Sequence, residues 1–378
     1  LASYVAADAG IVNRGAGLGG QLVRLAFPFE ITEQAPFAAS GLSAVLLSGS
    51  GDRPLQGPPA PVSPGRVGAL GAAVLQTVNA LDQGPPVGGP SAYLLISGQM
   101  VPLWAVRLLV LALILPAAAG TLDAVARAGR RGHSLVRWLG WVLAGAAPFL
   151  AGLVALLLAR AVGVLSFAPP GAVAGVGAPQ TGADVAVLLV VLAIVVAGFV
   201  LLRPSCLRLL AQQLPGSPRP PQSPAADAAA VALNAVLCAL AIVVWLVNPF
   251  EALLLVPALH TWLWLAQPGA RGHRWVVALL LLGGVVPVGL VLFYYANAYG
   301  LSPVALAWSL ALLPGGAMGI GTAVGWAVAL GCTASATIIG LRAARATAAA
   351  LDPPVTVRGP ASYAGPGSLG GTRSALRR

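Results

Sequence analysis

Residues 103–125 read LWAVRLLVLALILPAAAGTLDAV, a long and almost wholly apolar run. Its ionisable residues are Arg107, near the start, and Asp123, near the end. A helix that crosses the hydrocarbon core needs about 20 consecutive apolar residues. It must also pair all its backbone polar groups internally, because the core holds no water. We therefore expect this stretch to span a lipid bilayer.

Similar apolar runs fill most of the remaining chain. Of its 378 residues, 58% are hydrophobic and 8% are charged, whereas an average soluble domain has about 25% charged residues. The sequence therefore predicts a mainly α-helical fold with a polytopic membrane domain over residues 102–341, in contact with the lipid bilayer. Further spans are expected near 139–163, 184–202, 228–247, 250–266 and 275–299, with one net crossing in 303–341, where a half-helix ends at Pro314 before a full span.

The basic residues predict the orientation of these spans. All 21 are arginine, and most of them lie between apolar runs, in alternate loops, and at the C-terminus. Such loops face the cytoplasm under the positive-inside rule. About seven crossings satisfy this pattern in a bacterial cytoplasmic membrane, with the N-terminal segment outside and residues 342–378 as a basic, disordered cytoplasmic tail. This placement of the +11 net charge suits lipid headgroups, so no nucleic-acid partner is expected.

Residues 1–82 have a different character. The apolar runs are short here, and the run 42–47 is typical of a buried strand. Ser63 and Pro64 favour a helix start. An apolar stripe at helical spacing follows and predicts an amphipathic helix packed on a soluble core; its members are Val67, Leu70, Val74, Val78 and Leu81. The sequence thus predicts a partial α/β soluble domain over residues 1–82, joined by a Gly/Pro-rich linker at 83–101.

Two ionisable residues inside one predicted span are candidates for function. Glu251 follows the Asn248-Pro249 turn, and His260 lies further along the same span. Intramembrane ionisable groups are costly and mark proton or ion pathways. The alternative is structural: Glu251 would favour the positive N-terminus of its helix, and His260 would form an interfacial hydrogen bond beside two tryptophans.

Residues 32–45 read TEQAPFAASGLSAV, and this stretch resembles the last metal-ligand loop of the co-catalytic zinc aminopeptidases, the type that includes aminopeptidase S and glutamate carboxypeptidase. That family reads Ser-Asp-His-x-x-Phe-x-x-x-Gly-Ile-Pro-Ala, followed by a buried strand, a loop and a final helix. Phe37, Gly41, Leu42 and Ala44 fall in register with it. The runs 49–54 and 75–82 also resemble actinobacterial members that carry a multi-span membrane domain.

The resemblance implies two zinc ions bound by histidine and carboxylate ligands, with a glutamate as general base. Gln34 occupies the position of the family's last histidine ligand and Glu33 that of the preceding aspartate, and the resemblance makes Glu33 and Phe37 possible pocket residues. An amide is a poorer zinc ligand than imidazole. The other ligands would lie upstream of Leu1, so we expect this chain to be the C-terminal part of a longer protein and not to be active by itself.

The resulting hypothesis is a membrane-anchored zinc-peptidase-like protein that hydrolyses peptides outside the cytoplasm. Two other interpretations stay open. The chain could be a transporter or channel-like protein, in which Glu251 and His260 line the pathway. It could also be a non-catalytic envelope scaffold that retains the peptidase fold for binding.

Overall fold

The computed structural model describes residues 17–27, 63–84, 92–97, 99–131, 135–164, 182–213, 227–265, 274–314 and 318–351. Within these ranges the chain is mostly helical, with one two-stranded sheet. In chain order the elements are α1 (Leu18–Ala26), α2 (Pro64–Gln83), β1 (Tyr93–Ile96), β2 (Gln99–Pro102), α3 (Leu103–Arg130), α4 (Leu135–Leu143), α5 (Ala147–Ala161), α6 (Gly182–Ala197), a π-helical turn (Gly198–Leu202), α7 (Arg203–Gln213), α8 (Asp227–Val247), α9 (Pro249–Trp264), α10 (Arg274–Tyr299), α11 (Pro303–Leu312) and α12 (Ile320–Leu351).

Six helical stretches in this part of the chain are long and apolar enough to cross a membrane, which makes the protein a multi-pass helical membrane protein. Their ranges are Leu103–Arg130, Leu135–Ala161, Val185–Gln212, Ala228–Val247, Arg274–Tyr299 and Ile320–Ala343. Helix α9 coincides with the span predicted at 250–266 but has 16 residues, or about 24 Å at 1.5 Å per residue. It is therefore shorter than the hydrocarbon core, which is about 30 Å thick.

Helix α8 is the centre of the bundle and packs on α3, α4, α9 and α12. Its first two turns, residues 228–234, are buried on every side and include the small residues Ala229, Ala230 and Ala232. Small side chains allow helix axes to approach closely, and dispersion contacts then hold the helices together in lipid. Helices α5 and α6 form a neighbouring pair that joins the bundle through contacts of α5 with α12.

The span predicted at 139–163 is interrupted in the structure. Helix α4 ends at Leu143, and α5 begins at Ala147 after a turn. This turn lies directly against α12: a Cβ on Gly331 would come within 2.6 Å of the Ala146 backbone nitrogen. Only glycine permits this approach, so the turn between α4 and α5 packs backbone to backbone on α12.

The region 303–341 has the arrangement expected of it, a short helix followed by a long one. Helix α11 ends at Leu312, and α12 begins at Ile320, after Pro314. Ser302 begins α11 by accepting a hydrogen bond from the Ala305 amide at 3.2 Å. Helix α12 continues to Leu351, nine residues beyond the expected start of the tail at residue 342, and 352–378 lie outside the described residues.

Parts of the N-terminal segment differ from expectation. Helix α2 begins after Ser63 as predicted, but Val67, Val78 and Leu81 of its apolar stripe are half-exposed or more. The end of the expected linker forms an antiparallel hairpin, in which Tyr93 pairs with Pro102 and Ile96 with Gln99. The strand predicted at 42–47 lies outside the described residues.

Candidate functional site

The implied zinc ligands cannot be assembled from the described residues. Glu33, Gln34 and Phe37 fall in 28–62, outside the ranges that the structure describes. Within those ranges, no group of three or more His, Cys, Asp or Glu side chains could hold a metal ion. The implied zinc site therefore lies outside the described residues, which offer no alternative set of ligands.

The most developed polar site surrounds Asn248, where α8 ends and α9 begins. Its side-chain oxygen accepts hydrogen bonds from the Phe250 and Glu251 amides at 3.0 and 3.3 Å. Its Nδ2 donates to the carbonyls of Leu25 and Ala26 at 2.9 and 3.4 Å. The first amides and last carbonyls of a helix have no partner within it. Asn248 thus caps two helices at once, the N-terminus of α9 and the C-terminus of α1.

Two tyrosines of α10 add to the attachment of α1. The Tyr295 hydroxyl donates to the Phe27 carbonyl at 2.5 Å. The Arg24 guanidinium donates through Nε to the Tyr294 hydroxyl at 3.0 Å. Helix α1 therefore lies across the ends of α9 and α10, held by side chains about 220 to 270 positions away in the sequence.

Further contacts fix both ends of α1. The Phe27 ring meets the Trp326 ring edge-on, with centroids 5.9 Å apart, and lies 6.4 Å from the Tyr295 ring. Gln21 pairs with the backbone of Leu95 in the hairpin through two hydrogen bonds, of 2.8 and 3.2 Å. Helix α1, the hairpin and the membrane helices therefore form one continuous packed unit at this end of the bundle.

Two cavities open beside this unit. The larger, of about 350 Å³, is lined almost wholly by apolar side chains of α5, α6, α10, α11 and α12. The smaller, of about 150 Å³, includes Asn248, Glu251 and Thr322. Phe27, Leu313 and Met318 line both cavities, so an apolar space and a more polar one adjoin at the docked end of α1.

Glu251 and His260 are on the same helix but in different surroundings. Glu251 is half-buried in the first turn of α9, where a negative charge is favoured, and it faces the smaller cavity. The His260 Nε2 lies 2.9 Å from the Leu113 carbonyl oxygen of α3. A carbonyl can only accept, so Nε2–H donates and links two helices. Nine residues of helix separate the two side chains by about 13 Å, and His260 does not line the cavity that Glu251 lines.

The structure also reveals buried polar residues that the sequence analysis did not single out. Asn234, in the middle of α8, donates to the Ala230 and Trp262 carbonyls at 3.0 and 3.2 Å. Thr121 donates to the Ala117 carbonyl at 2.7 Å and contacts the Cys238 sulfur at 3.5 Å. An Asn within an apolar run is a signal that sequence analysis could have used, because polar residues in such runs join helices.

A scan against protein-family models, a search of curated proteins and a search of solved structures each returned no match for this chain.

Proposed function

We propose that this chain is a membrane-anchored, zinc-peptidase-like protein whose membrane domain holds the peptidase-like segment at the outer face of the cytoplasmic membrane. The observation that carries the proposal is the docking of α1 on α9 and α10, through Asn248 and Tyr295. Helix α1 ends at Ala26, just before residues 32–45, which resemble the metal-ligand loop. Docking at this point would fix the start of that loop against the membrane domain.

The proposed orientation places the docked end of α1 outside the cytoplasm. Arginines cluster at the C-terminal ends of α3 and α12, in α7 and at the start of α10, which the positive-inside rule assigns to the cytoplasm. The turn at Asn248, up to Glu251, carries no charge, and neither does the connection between α10 and α11. Both connections therefore belong outside. In this arrangement α9 is a short crossing, and the chain crosses the membrane about seven times in total.

The peptidase part of the proposal rests on the resemblance of residues 32–45. The position of α2 agrees with the family's order of loop, strand and final helix, since this helix begins at Pro64. In this arrangement the peptide substrate would be hydrolysed close to the membrane, and Gln34 would stand where the family has its last histidine ligand. The substituted ligand makes metal content the decisive measurement.

The test measures zinc content and aminopeptidase activity of the full-length protein in detergent, together with Gln34→His and a control, Gln76→His, on the exposed face of α2. Zinc in stoichiometric amount with activity in the parent would support an enzyme with an altered ligand set. Zinc gained only by Gln34→His would indicate a binding or scaffold domain that has lost a metal site. If zinc is absent from the parent and from both variants, the zinc-peptidase proposal is wrong.

The anchoring part is tested separately by trypsin, which cleaves after Arg24 within α1. Asn248→Ala removes the cap shared by two helices, which costs about 1–2 kcal/mol. Because cleavage follows the population of the open form, we expect it to become about 5- to 30-fold faster. The matched control is Asn297→Ala, whose amide donates only locally, to the Phe293 carbonyl. Equal cleavage rates in the two variants would contradict docking.

A second candidate function is transport, because Glu251 lines the smaller cavity, which adjoins the large apolar cavity. Replacing this carboxylate with an amide should abolish any ion or proton flux through proteoliposomes that contain the protein. The control is Asp123→Asn, since Asp123 is exposed and paired with Arg127. Flux that is unchanged by Glu251→Gln would remove this candidate.

A further inference from the structure

The larger cavity of the membrane domain has the lining of a hydrocarbon site. Its volume, about 350 Å³, lies within the range of about 300–1,000 Å³ that is typical of small-molecule sites. Phenylalanine, leucine, valine and alanine side chains form most of its walls. Even a smaller apolar cavity, of about 150 Å³, stays dry and takes up apolar molecules. The part of a ligand that fills this space is therefore expected to be apolar.

The cavity is elongated and reaches the lipid-facing surface of the bundle. Its wall extends from Ala323 to Leu330 on α12 and from Phe149 to Leu156 on α5, which is about 10 Å along each helix. Half of the hydrocarbon core is about 15 Å thick. Leu330 is 45% exposed, so the cavity meets the surrounding lipid beside this residue. This shape suits a hydrocarbon chain that enters from the membrane.

The smaller cavity supplies a carboxylate at one end of this space. The two cavities meet at Phe27, Leu313 and Met318, which line both. Among the described residues that line them, Glu251 alone has an ionisable side chain. The Asn248 amide is already used by four backbone groups. No ion pair of Glu251 occurs in the part of the chain that the structure describes. A carboxylate in such a place favours a cation as its partner.

We propose that the two cavities together bind a single-chain amphiphile with an ammonium head. The chain fills the larger cavity, and the ammonium group donates to the Glu251 carboxylate in the smaller one. An ammonium group has three donors and no acceptor, and hydrogen bonds between ionised partners are about twice as strong as neutral ones. A carboxylate head would be repelled by Glu251. A small amine without a chain would leave the larger cavity empty and forgo its dispersion contacts.

The test uses dodecylamine, dodecanol and dodecanoate, which share one chain and differ in the charge of the head. Each carries a photoreactive diazirine in the chain. The full-length protein in phosphatidylcholine nanodiscs is irradiated with each probe at the same mole fraction in the bilayer, and mass spectrometry of its peptides locates the labelled residues. We expect dodecylamine to label Val191, which lines the larger cavity, more than its neighbour Leu192, which is 59% exposed to lipid.

The choice between heads is expected to be large. Dodecylamine should occupy the site about 10- to 100-fold more tightly than dodecanol, the range expected when the hydrogen-bonded groups are charged. Dodecanoate should bind more weakly than dodecanol. Glu251→Gln keeps the shape of the carboxylate but removes its charge, so the preference for dodecylamine should disappear while labelling by dodecanol persists.

A second pair of variants tests the chain part of the site. Val191→Trp fills part of the larger cavity and should lower the labelling of Leu292, on the opposite wall in α10, by all three probes. The matched control, Leu192→Trp, adds the same side chain on the lipid-facing side of α6 and should label as the parent does.

Two results from the parent protein would overturn the proposal, and they hold even if a variant does not fold. Equal labelling of Val191 and Leu192 would show that the chain does not enter the cavity. Equal binding of dodecylamine and dodecanol would show that the head is not recognised. A preference for dodecylamine that survives in Glu251→Gln would also refute the site, because another group would then hold the ammonium.

Discussion

Helices α8 and α6 show opposite relations between hydrophobicity and burial. Helix α6 and its continuation, Val185–Gln212, form the most hydrophobic of the six long stretches but are the least buried, with 11% of their most apolar part inside the protein. Helix α8, rich in alanine and containing Asn234, is the most buried, at 44%. In water the ranking would be reversed. In lipid, apolar side chains gain nothing by leaving the solvent, so small residues and polar links decide which helix is central.

The largest effect that tests this comparison is expected from shortening one leucine in each helix. Leu237 of α8 is buried, whereas Leu189 of α6 is 61% exposed. Leu237→Ala leaves a cavity among α8's neighbours and should cost about 2–5 kcal/mol of unfolding free energy. Leu189→Ala should change it by less than about 0.5 kcal/mol. Unfolding by SDS in mixed micelles measures the unfolding free energy of both variants. Equal losses would show that α8 and α6 do not differ in burial as described.

A second pair of variants extends the comparison to glycine. A Cβ at Gly331 of α12 would collide with the Ala146 backbone, whereas one at Gly289 of α10 would meet nothing within 4 Å. We expect Gly331→Ala to destabilise the protein by about 1–3 kcal/mol because the backbones must separate. Gly289→Ala should be neutral or stabilising, since alanine has the higher helix propensity. The difference in unfolding midpoint checks this, and a stable Gly331→Ala protein would contradict the close approach.

The smallest expected effect concerns polar links. Asn234→Ala removes the hydrogen bond from α8 to the Trp262 carbonyl of α9. Links of this kind contribute about 0.6 kcal/mol on average in a membrane protein, and at most about 1.7 kcal/mol. Asn297→Ala, which removes only a bond within α10, should have no measurable effect. The same SDS unfolding assay distinguishes them, and an Asn297→Ala loss as large as that of Asn234→Ala would show that the interhelical bond is not the cause.

The helices of the membrane domain were predicted well because each is marked by local signals. Apolar length identified most of the spans, and Asn248 and Ser302 precede helices α9 and α11 in the structure. The turn between α4 and α5 was missed, since an apolar run continues through it. Helix α1 was missed for another reason: nine residues are too few for an isolated helix in water, and its carbonyls depend on Asn248.

The candidate sites also divide into residues that the sequence indicates and features that only the structure shows. Glu251 and His260 were found from sequence as rare ionisable residues in an apolar run, but their separate surroundings became evident only from the positions of α3 and α12. Glu33, Gln34 and Phe37 lie outside the described residues, so the zinc-ligand prediction remains a prediction. In the sequence, Arg203 is one of the arginines that indicate the orientation. Its contact with the Trp141 ring depends on how α7 meets α4, which no local pattern encodes.

The amino-acid sequence is enough to predict a helical protein that crosses a membrane several times, because the hydrocarbon core imposes a length and a composition on every span. Which helix is central, which polar residues meet and where α1 docks become evident only from the packing of the helices. The docking of α1 depends on contacts between residues more than 200 positions apart, such as Asn248 with Leu25. Hydrophobicity cannot predict such contacts in lipid, where every apolar face is equally well solvated.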